Sequence, residues 1–480
     1  MNTKVLPRTT PEVEGISSSA IVDFLDSIRE AGIEMHSLML LRRGNVVAEG
    51  WWKPYAPDRR HVLFSLSKSF TSTAVGLAVD EGLLALDDRV VSYFPDDLPE
   101  DVGENLAKMR LRDLLTMGTG HGVDTVNYLL RNENKSWERV FLERPVEFEP
   151  GTHFHYNSGA TYMAGVMVSK VTGMSLTSYL TPRLFEPLGI VDPYWEQSPT
   201  GYDAGGWGLN IRTEDIAKFG QLYLQKGRWG DRQLIPKAWV ELATSKQIDN
   251  GPDPNNDWNQ GYCFQFWRCR HDAYRGDGAF GQFCVVMPEL DAVFAATSGT
   301  GDLQGILNCV WNHLLPSMST SRLEDPVAHA RLLDRLEGLS LPTVDGSART
   351  SSAAEVSGKT FQLDTNEDGW QSITATFGDA GAIVEIVDAT GLHRIEIAGR
   401  DWSTSRVDLA VGDWSVPFNA AISGAWTGPM TYELKVCACE TPFTWTLTLA
   451  FDKKAVTVDR RLNVAFGPVE RPRLFGRMAF

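Results

Sequence analysis

Phe64-Ser65-Leu66-Ser67-Lys68-Ser69-Phe70 opens the run Thr71-Ser72-Thr73-Ala74-Val75-Gly76-Leu77-Ala78-Val79, whose small and apolar residues predict a buried helix. Helix residues three apart share a face, so the Ser65 hydroxyl and the Lys68 amine are expected side by side near its N-terminus. A serine hydroxyl is a weak nucleophile until a base takes its proton. A lysine shielded from water at the positive end of a helix has its pKa lowered toward that task. The bland alternative is a capping serine with a lysine pointing to solvent. Ser65 is the only serine in the chain followed three residues later by a lysine. The pair on its own divides evenly between the two readings, and its surroundings must decide.

The chain's 480 residues exceed one ordinary core and predict more than one domain. A composition of 43% hydrophobic and 22% charged residues is that of a globular protein. The net charge of -16 argues against nucleic acid or an anionic membrane as partner, since both need basic surface. The stretch Met1 to Thr10 has no apolar core of a secretory signal, and no apolar run is long enough to span a bilayer. The six cysteines (Cys263, Cys269, Cys284, Cys309, Cys437 and Cys439) lack zinc-site spacing and read as reduced thiols. A cytoplasmic location is therefore expected.

Around the first stretch, residues 1–340 mix helix and strand patterns. His36 to Gly50 predicts two strands about an Arg-Gly-Asn turn; helices are expected over Met163–Val171 and Thr213–Gln225. Further strands are expected at Tyr262–Arg268, Gln282–Met287 and Ala292–Ser298. Strands at both ends with helices between them predict an α+β fold, one sheet built from distant segments with a helical lobe inserted. Residues 341–356 turn small and polar and read as a linker. From 357 to 480 the pattern is period two, as in Thr444-Trp445-Thr446-Leu447-Thr448-Leu449-Ala450-Phe451, which predicts a small antiparallel barrel or sandwich.

A serine acyl transfer also needs an oxyanion hole and a proton for the leaving group. Gly151-Thr152-His153-Phe154-His155-Tyr156-Asn157-Ser158 follows a Glu-Pro-Gly turn and places Tyr156 on a loop. A phenol beside an ammonium has its ionised form favoured and can pass protons; a tyrosine packed beneath a turn is the competing reading. Tyr274-Arg275-Gly276-Asp277-Gly278-Ala279-Phe280-Gly281-Gln282 matches the spacing of a dinucleotide fingerprint, but a strand follows it where that motif requires a helix. Its glycines suit a different use, the close approach of a substrate carbonyl to backbone. The amides of Ser65 and Ala279 are the candidate oxyanion donors.

In order, Ser65-x-x-Lys68, Tyr156-Asn157-Ser158 and Gly276-Asp277-Gly278 resemble the Ser-x-x-Lys, Tyr-x-Asn and Lys-Thr-Gly motifs of the serine β-lactamase and penicillin-binding-protein superfamily. The similar branch holds class C β-lactamases, family VIII carboxylesterases, D-aminopeptidases and 6-aminohexanoate-dimer hydrolases. Leu111 to His121 and Gly205 to Asn210 extend the likeness over most of residues 10–316. The resemblance implies an α/β sandwich with an all-helical lobe, followed by a C-terminal barrel similar to lipocalin-like appendages. It implies Ser65 as nucleophile, Lys68 as base and Tyr156 as proton carrier, with no metal or organic cofactor.

Two departures from the motifs bear on substrate. Ser158 stands where the family has asparagine, and Asp277 is expected to repel a substrate carboxylate. Both favour a small-molecule ester or linear amide over a β-lactam or a D-peptide. A β-lactamase, a D-stereospecific peptidase or a penicillin-binding sensor with little turnover are the rivals. His121, Trp207, Ser158, Gly278 and Gln282 are candidate substrate contacts, each with a structural role as the competing reading. His153 and His155 alternate but have no acidic partner at ligand spacing. Assembly into a homo-oligomer is left open.

Overall fold

The computed structural model describes residues 5–132, 135–379, 381–409 and 417–479. Residues 1–4, the head of the stretch read for an export signal, lie outside them. The hairpin β1 (Met35–Arg42) and β2 (Asn45–Trp51) turns through Arg43 and Gly44, both at positive φ. Strands β3 (Trp267–Arg268), β4 (Tyr274–Gly278), β5 (Gln282–Met287) and β6 (Ala292–Ser298) complete an antiparallel sheet of order β2-β1-β6-β5-β4-β3. Strand β1 is buried throughout because both of its faces are covered. Leu38 and Leu40 pack with α1 (Ser18–Glu30) and the helices after residue 302. Met39 and Leu41 belong to the core on the other face, which holds the helix Thr213–Leu224 against the sheet and also includes residues of α2 (Ser67–Asp80). Each such side chain contributes about 1.5–3 kcal/mol on burial.

The Tyr262–Arg268 strand expectation is corrected. Only Trp267 and Arg268 pair with β4, because Gln265 takes φ +65° and breaks the extended run. Its amide nitrogen donates to the carbonyls of Leu114 and Leu115. Its oxygen accepts from Thr161.

Between residues 62 and 209 the regular structure is helical apart from the short strand Tyr194–Trp195, and this part forms the lobe, with α3 (Ser158–Thr172) at its centre. The chain enters the lobe through His61–Val62 and leaves through Leu209–Ile211, and these two segments pair with each other. That ladder brings the segment preceding Ser65 beside Gly206-Trp207-Gly208. Helix α4 (Thr213–Leu224) then returns to the sheet, where Gly220 lets it close on Val293 and Cys284.

Ten strands from Lys359 to Met478 form a nearly closed antiparallel sheet. They are β7 (Lys359–Leu363), β8 (Ser372–Gly378), β9 (Gly381–Val387), β10 (Leu392–Ile397), β11 (Ser403–Val407), β12 (Phe418–Gly428), β13 (Thr431–Ala438), β14 (Thr444–Asp452), β15 (Ala455–Leu462) and β16 (Glu470–Met478). Alternate residues such as Leu434, Val436, Leu447 and Leu449 fill the inside. The void lined by Trp370, Ile395, Val436 and Trp445 measures about 10 Å³, room for at most one water.

The C-terminal part is bonded to the N-terminal half. The Val62 amide donates to Glu440 O at 2.9 Å, and Leu341 N to Lys53 O at 2.7 Å. Tyr55 Oη donates to Thr441 O at 2.8 Å, and Asn463 Nδ2 to Glu34 Oε1 at 2.7 Å. Among the described residues no helix is long and apolar enough to cross a membrane.

Candidate active site

Ser65 lies in a 3-10 turn, Phe64–Leu66, that runs directly into α2. Phe64 is held at φ +46°, a left-handed conformation costly for a residue with a side chain and typical of functional turns. The turn leaves Ser65 half-exposed while Lys68, one helical turn on, is 1% exposed. Lys68 Nζ lies 3.4 Å from Ser65 Oγ, 3.1 Å from Ser158 Oγ and 2.6 Å from Gly206 O. All three ammonium protons therefore have acceptors. Burial pulls the Lys68 pKa down to about 8, against the opposing pull of Asp124 and Asp277. Near neutral pH a useful fraction is the free amine, poised beside a hydroxyl.

Tyr156 is carried by the coil between Gly151 and α3. That coil is tied down by Gly151 N to Gly118 O at 2.7 Å and His155 N to Met117 O at 3.0 Å. Asn157 caps α3 through its Oδ1, which accepts from Gly159 N and from the amide and hydroxyl of Thr125. The Tyr156 ring stacks on Trp267 at 5.5 Å, and Lys68 Nζ sits 5.1 Å from its centroid. Ser65 is a side-chain neighbour that draws the pKa of its phenol down. Burial, helped by Asp277, pushes the Tyr156 pKa well above its usual value, outweighing the opposing influence of Ser65. Tyr156 is thus a neutral phenol, with a proton to give.

Asp124 belongs to the site and was not anticipated. Its Oδ1 accepts from Ser158 N at 2.8 Å and its Oδ2 from Ser158 Oγ at 3.2 Å. Ser158 therefore accepts from Lys68 and donates to Asp124, a polar chain that an asparagine at 158 would make differently. Asp124 lies on a loop 34 residues before Ser158, in a stretch with no motif around it, so only proximity to Asn157 through Thr125 reveals it.

Asp277 does not present a free charge. Arg275, two residues earlier on the same face of β4, donates to its Oδ2 from Nε at 2.9 Å, and Nη2 lies 2.9 Å from the same oxygen as an ion pair. Arg275 is fully buried and lies 4.2 Å from the Trp258 ring. The expected repulsion of a substrate carboxylate is accordingly reduced by a guanidinium that neutralises the aspartate.

Gly278 lies against the nucleophile turn. A Cβ there would stand 2.0 Å from Leu63 O and 3.2 Å from Leu66 N. This close packing sets the turn after β4, with half-exposed Ala279, beside Ser65. Gln282 is fully buried and faces away from the cleft. Its Nε2 donates to Ala279 O at 2.9 Å and Ser298 O at 3.0 Å, bracing that turn.

Trp207 follows the carbonyl that holds Lys68; it is half-buried and its ring packs on Trp137 at 5.4 Å. His121 is brought elsewhere. It is buried in the lobe, with Nδ1 2.9 Å from Thr119 Oγ1 and its ring against Phe141. His153 and His155 lie in coil and not on a strand, His153 stacking on Phe148. Among the described residues no cluster of three His, Cys, Asp or Glu side chains is placed to hold a metal.

The family described as Beta-lactamase matches residues 21–303, more than half of the chain. The 6-aminohexanoate-dimer hydrolase of Paenarthrobacter ureafaciens is 24% identical over 300 residues, 55% of this chain and 73% of that protein. Lovastatin esterase of Penicillium rubens is 31% identical over 163 residues, 29% of this chain and 40% of that protein. The octameric penicillin-binding protein homologue from Pyrococcus abyssi superposes with a TM-score of 0.50 at 14% identity, over 96% of this chain and 99% of that one. At that identity the likeness concerns the fold, barrel included. The match over residues 21–303, on a chain with the α/β sandwich and its helical lobe, is decisive: the chain belongs to the beta-lactamase family of serine hydrolases.

Proposed function

We propose that this protein hydrolyses an ester or linear amide of a small molecule through an acyl-enzyme on Ser65. The carrying observation is the buried Lys68 amine, 3.4 Å from Ser65 Oγ, with its pKa drawn down to about 8 by loss of water. Free Lys68 takes the Ser65 proton as Oγ attacks the carbonyl carbon. The developing oxyanion is received by the amides of Ser65 and Ala279, each donor being worth about 3–4 kcal/mol in such sites. Neutral Tyr156 gives its proton to the departing alkoxide or amine, and the Lys68 ammonium returns one to the tyrosinate. Water then attacks the acyl-enzyme by the same route in reverse.

The serine hydrolase unit in this reading is residues 1–340 and the barrel 357–480, with 341–356 joining them. The six described cysteines are buried free thiols, which supports a reducing, cytoplasmic setting. Because the Pyrococcus abyssi homologue is octameric, self-association of this chain belongs to the proposal and is read by light scattering. The test of the mechanism is Ser65→Ala against p-nitrophenyl acetate. Turnover is expected to fall to the uncatalysed level, and wild type quenched during turnover should carry one acyl mass on the peptide containing Ser65. Retention of most of the activity by the alanine variant would refute the assignment.

A further inference from the structure

Four phenylalanines, two from each half of the chain, meet beside the nucleophile. Phe64 precedes Ser65 and Phe280 follows Ala279, and their rings meet edge to face at 5.5 Å. From the barrel, Phe466 stands 5.7 Å from Phe64 and 4.7 Å from Phe280. Phe443 lies 6.3 Å and 5.6 Å from the same two rings. All five distances fall in the range where aromatic pairs attract. Phe443 and Phe280 are buried, whereas Phe466 is 67% exposed although two rings, Phe64 and Phe280, hold it in place.

The segment bearing Phe466 is fixed at its base. Leu462 N donates to Val469 O at 2.9 Å, closing the connection between β15 and β16. Asn463 Nδ2 donates to Glu34 Oε1 of the hydrolase half and to Pro442 O. The exposed ring is thus presented by an anchored turn, at low cost in conformational freedom.

Position along β4 tells which part of a substrate meets this ring. Asp277 acts on Tyr156, and Tyr156 stacks on Trp267, whose strand pairs with Arg275 of β4. Gly278 lies against the Leu63–Leu66 backbone that carries Ser65. Ala279 and Phe280, one step further, reach the phenylalanine cluster. The order is therefore proton donor, nucleophile, aromatic wall. A leaving group must lie at the Tyr156 end, where its proton comes from, and the acyl group is left with the other.

We propose that Phe466, carried by the barrel, lines the acyl side of the cleft and selects acyl groups that bear an aromatic ring. This rests on the Ser65 hydrolase reading and adds a substrate class to it. It also gives the barrel a part in the chemistry, as a wall of the site instead of a container, in keeping with its filled interior.

The experiment compares kcat/KM for p-nitrophenyl phenylacetate and p-nitrophenyl acetate in wild type, Phe466→Ala and Phe466→Tyr. Ser65 labelling by a fluorophosphonate is followed in parallel. The expected result is that the phenylacetate-to-acetate ratio falls at least tenfold in Phe466→Ala and returns to within threefold of wild type in Phe466→Tyr. A ratio unchanged within twofold in Phe466→Ala, whether both rates hold or both fall together, overturns the proposal while normal Ser65 labelling leaves the hydrolase reading standing. Absence of both labelling and turnover in wild type refutes the hydrolase reading, and the Phe466 assignment with it.

Discussion

The Ser158 hydroxyl donates to Asp124 Oδ2 at 3.2 Å while its own amide donates to Oδ1 at 2.8 Å, so one carboxylate fixes both the amide and the hydroxyl of the residue that touches the Lys68 amine. The lysine of this site thus works inside a negative field. Burial lowers the Lys68 pKa to about 8, and Asp124 is the larger of the two charges that keep it from falling further. Because the reactive form is the free amine, kcat/KM should rise with pH below about 8, close to tenfold per unit, and level off above it. Asp124→Asn removes a charge that stabilises the ammonium, so its acid limb should move to lower pH. A pH profile of ester hydrolysis for wild type and variant checks both statements. A limb that stays in place or moves upward would show that Asp124 does not act on Lys68.

Tyr156 is a proton donor in this scheme, not a phenolate, because burial and Asp277 both hold its proton. Tyr156→Phe keeps the ring on Trp267 and so should leave Tm within about 2 °C. Loss of a positioned general acid typically costs about 10²–10⁴ in rate. The loss should depend on the leaving group. An alkyl ester or anilide needs the proton and should show the full effect, whereas a p-nitrophenyl ester, whose leaving group departs as an anion, should show far less. Equal losses on both substrates would place Tyr156 in another step.

The parts of this molecule that follow from local pattern were readable in advance. Strands over Gln282–Met287 and Ala292–Ser298 match their expected bounds because short apolar runs bounded by turn residues have little else to become. The barrel strands were visible in period-two alternation. Tyr274–Gly278 was not read as a strand because its two glycines hide the alternation of Arg275 and Asp277, which face one another as neighbours on one side. Asp124 was hidden for a different reason. Its role comes from a loop meeting a helix cap, a long-range contact for which sequence spacing carries no signal. The reversed φ of Phe64 is likewise imposed from outside, by the ladder at Val62 and the phenylalanines around it.

Gly276 and Gly278 sit on one face of β4, toward α2, yet they tolerate a methyl group differently. At 276 an added Cβ would meet the tips of Leu66 and Ser69 at 2.5 Å, side chains that can turn aside. At 278 it would meet Leu63 O at 2.0 Å, a backbone carbonyl in the turn that carries Ser65. Gly276→Ala should therefore cost little, within about 1 kcal/mol, the low end of overpacking. Gly278→Ala must push β4 off the nucleophile turn, costing about 1–3 kcal/mol of stability. It should also cut kcat by about 10²–10³, because the Ala279 amide moves away from the oxyanion it is assigned to bind. Thermal melts and ester kinetics on the two variants measure this difference. If Gly278→Ala lost stability but kept its kcat, the turn after β4 would be a packing element only, and the second oxyanion donor would have to be sought elsewhere.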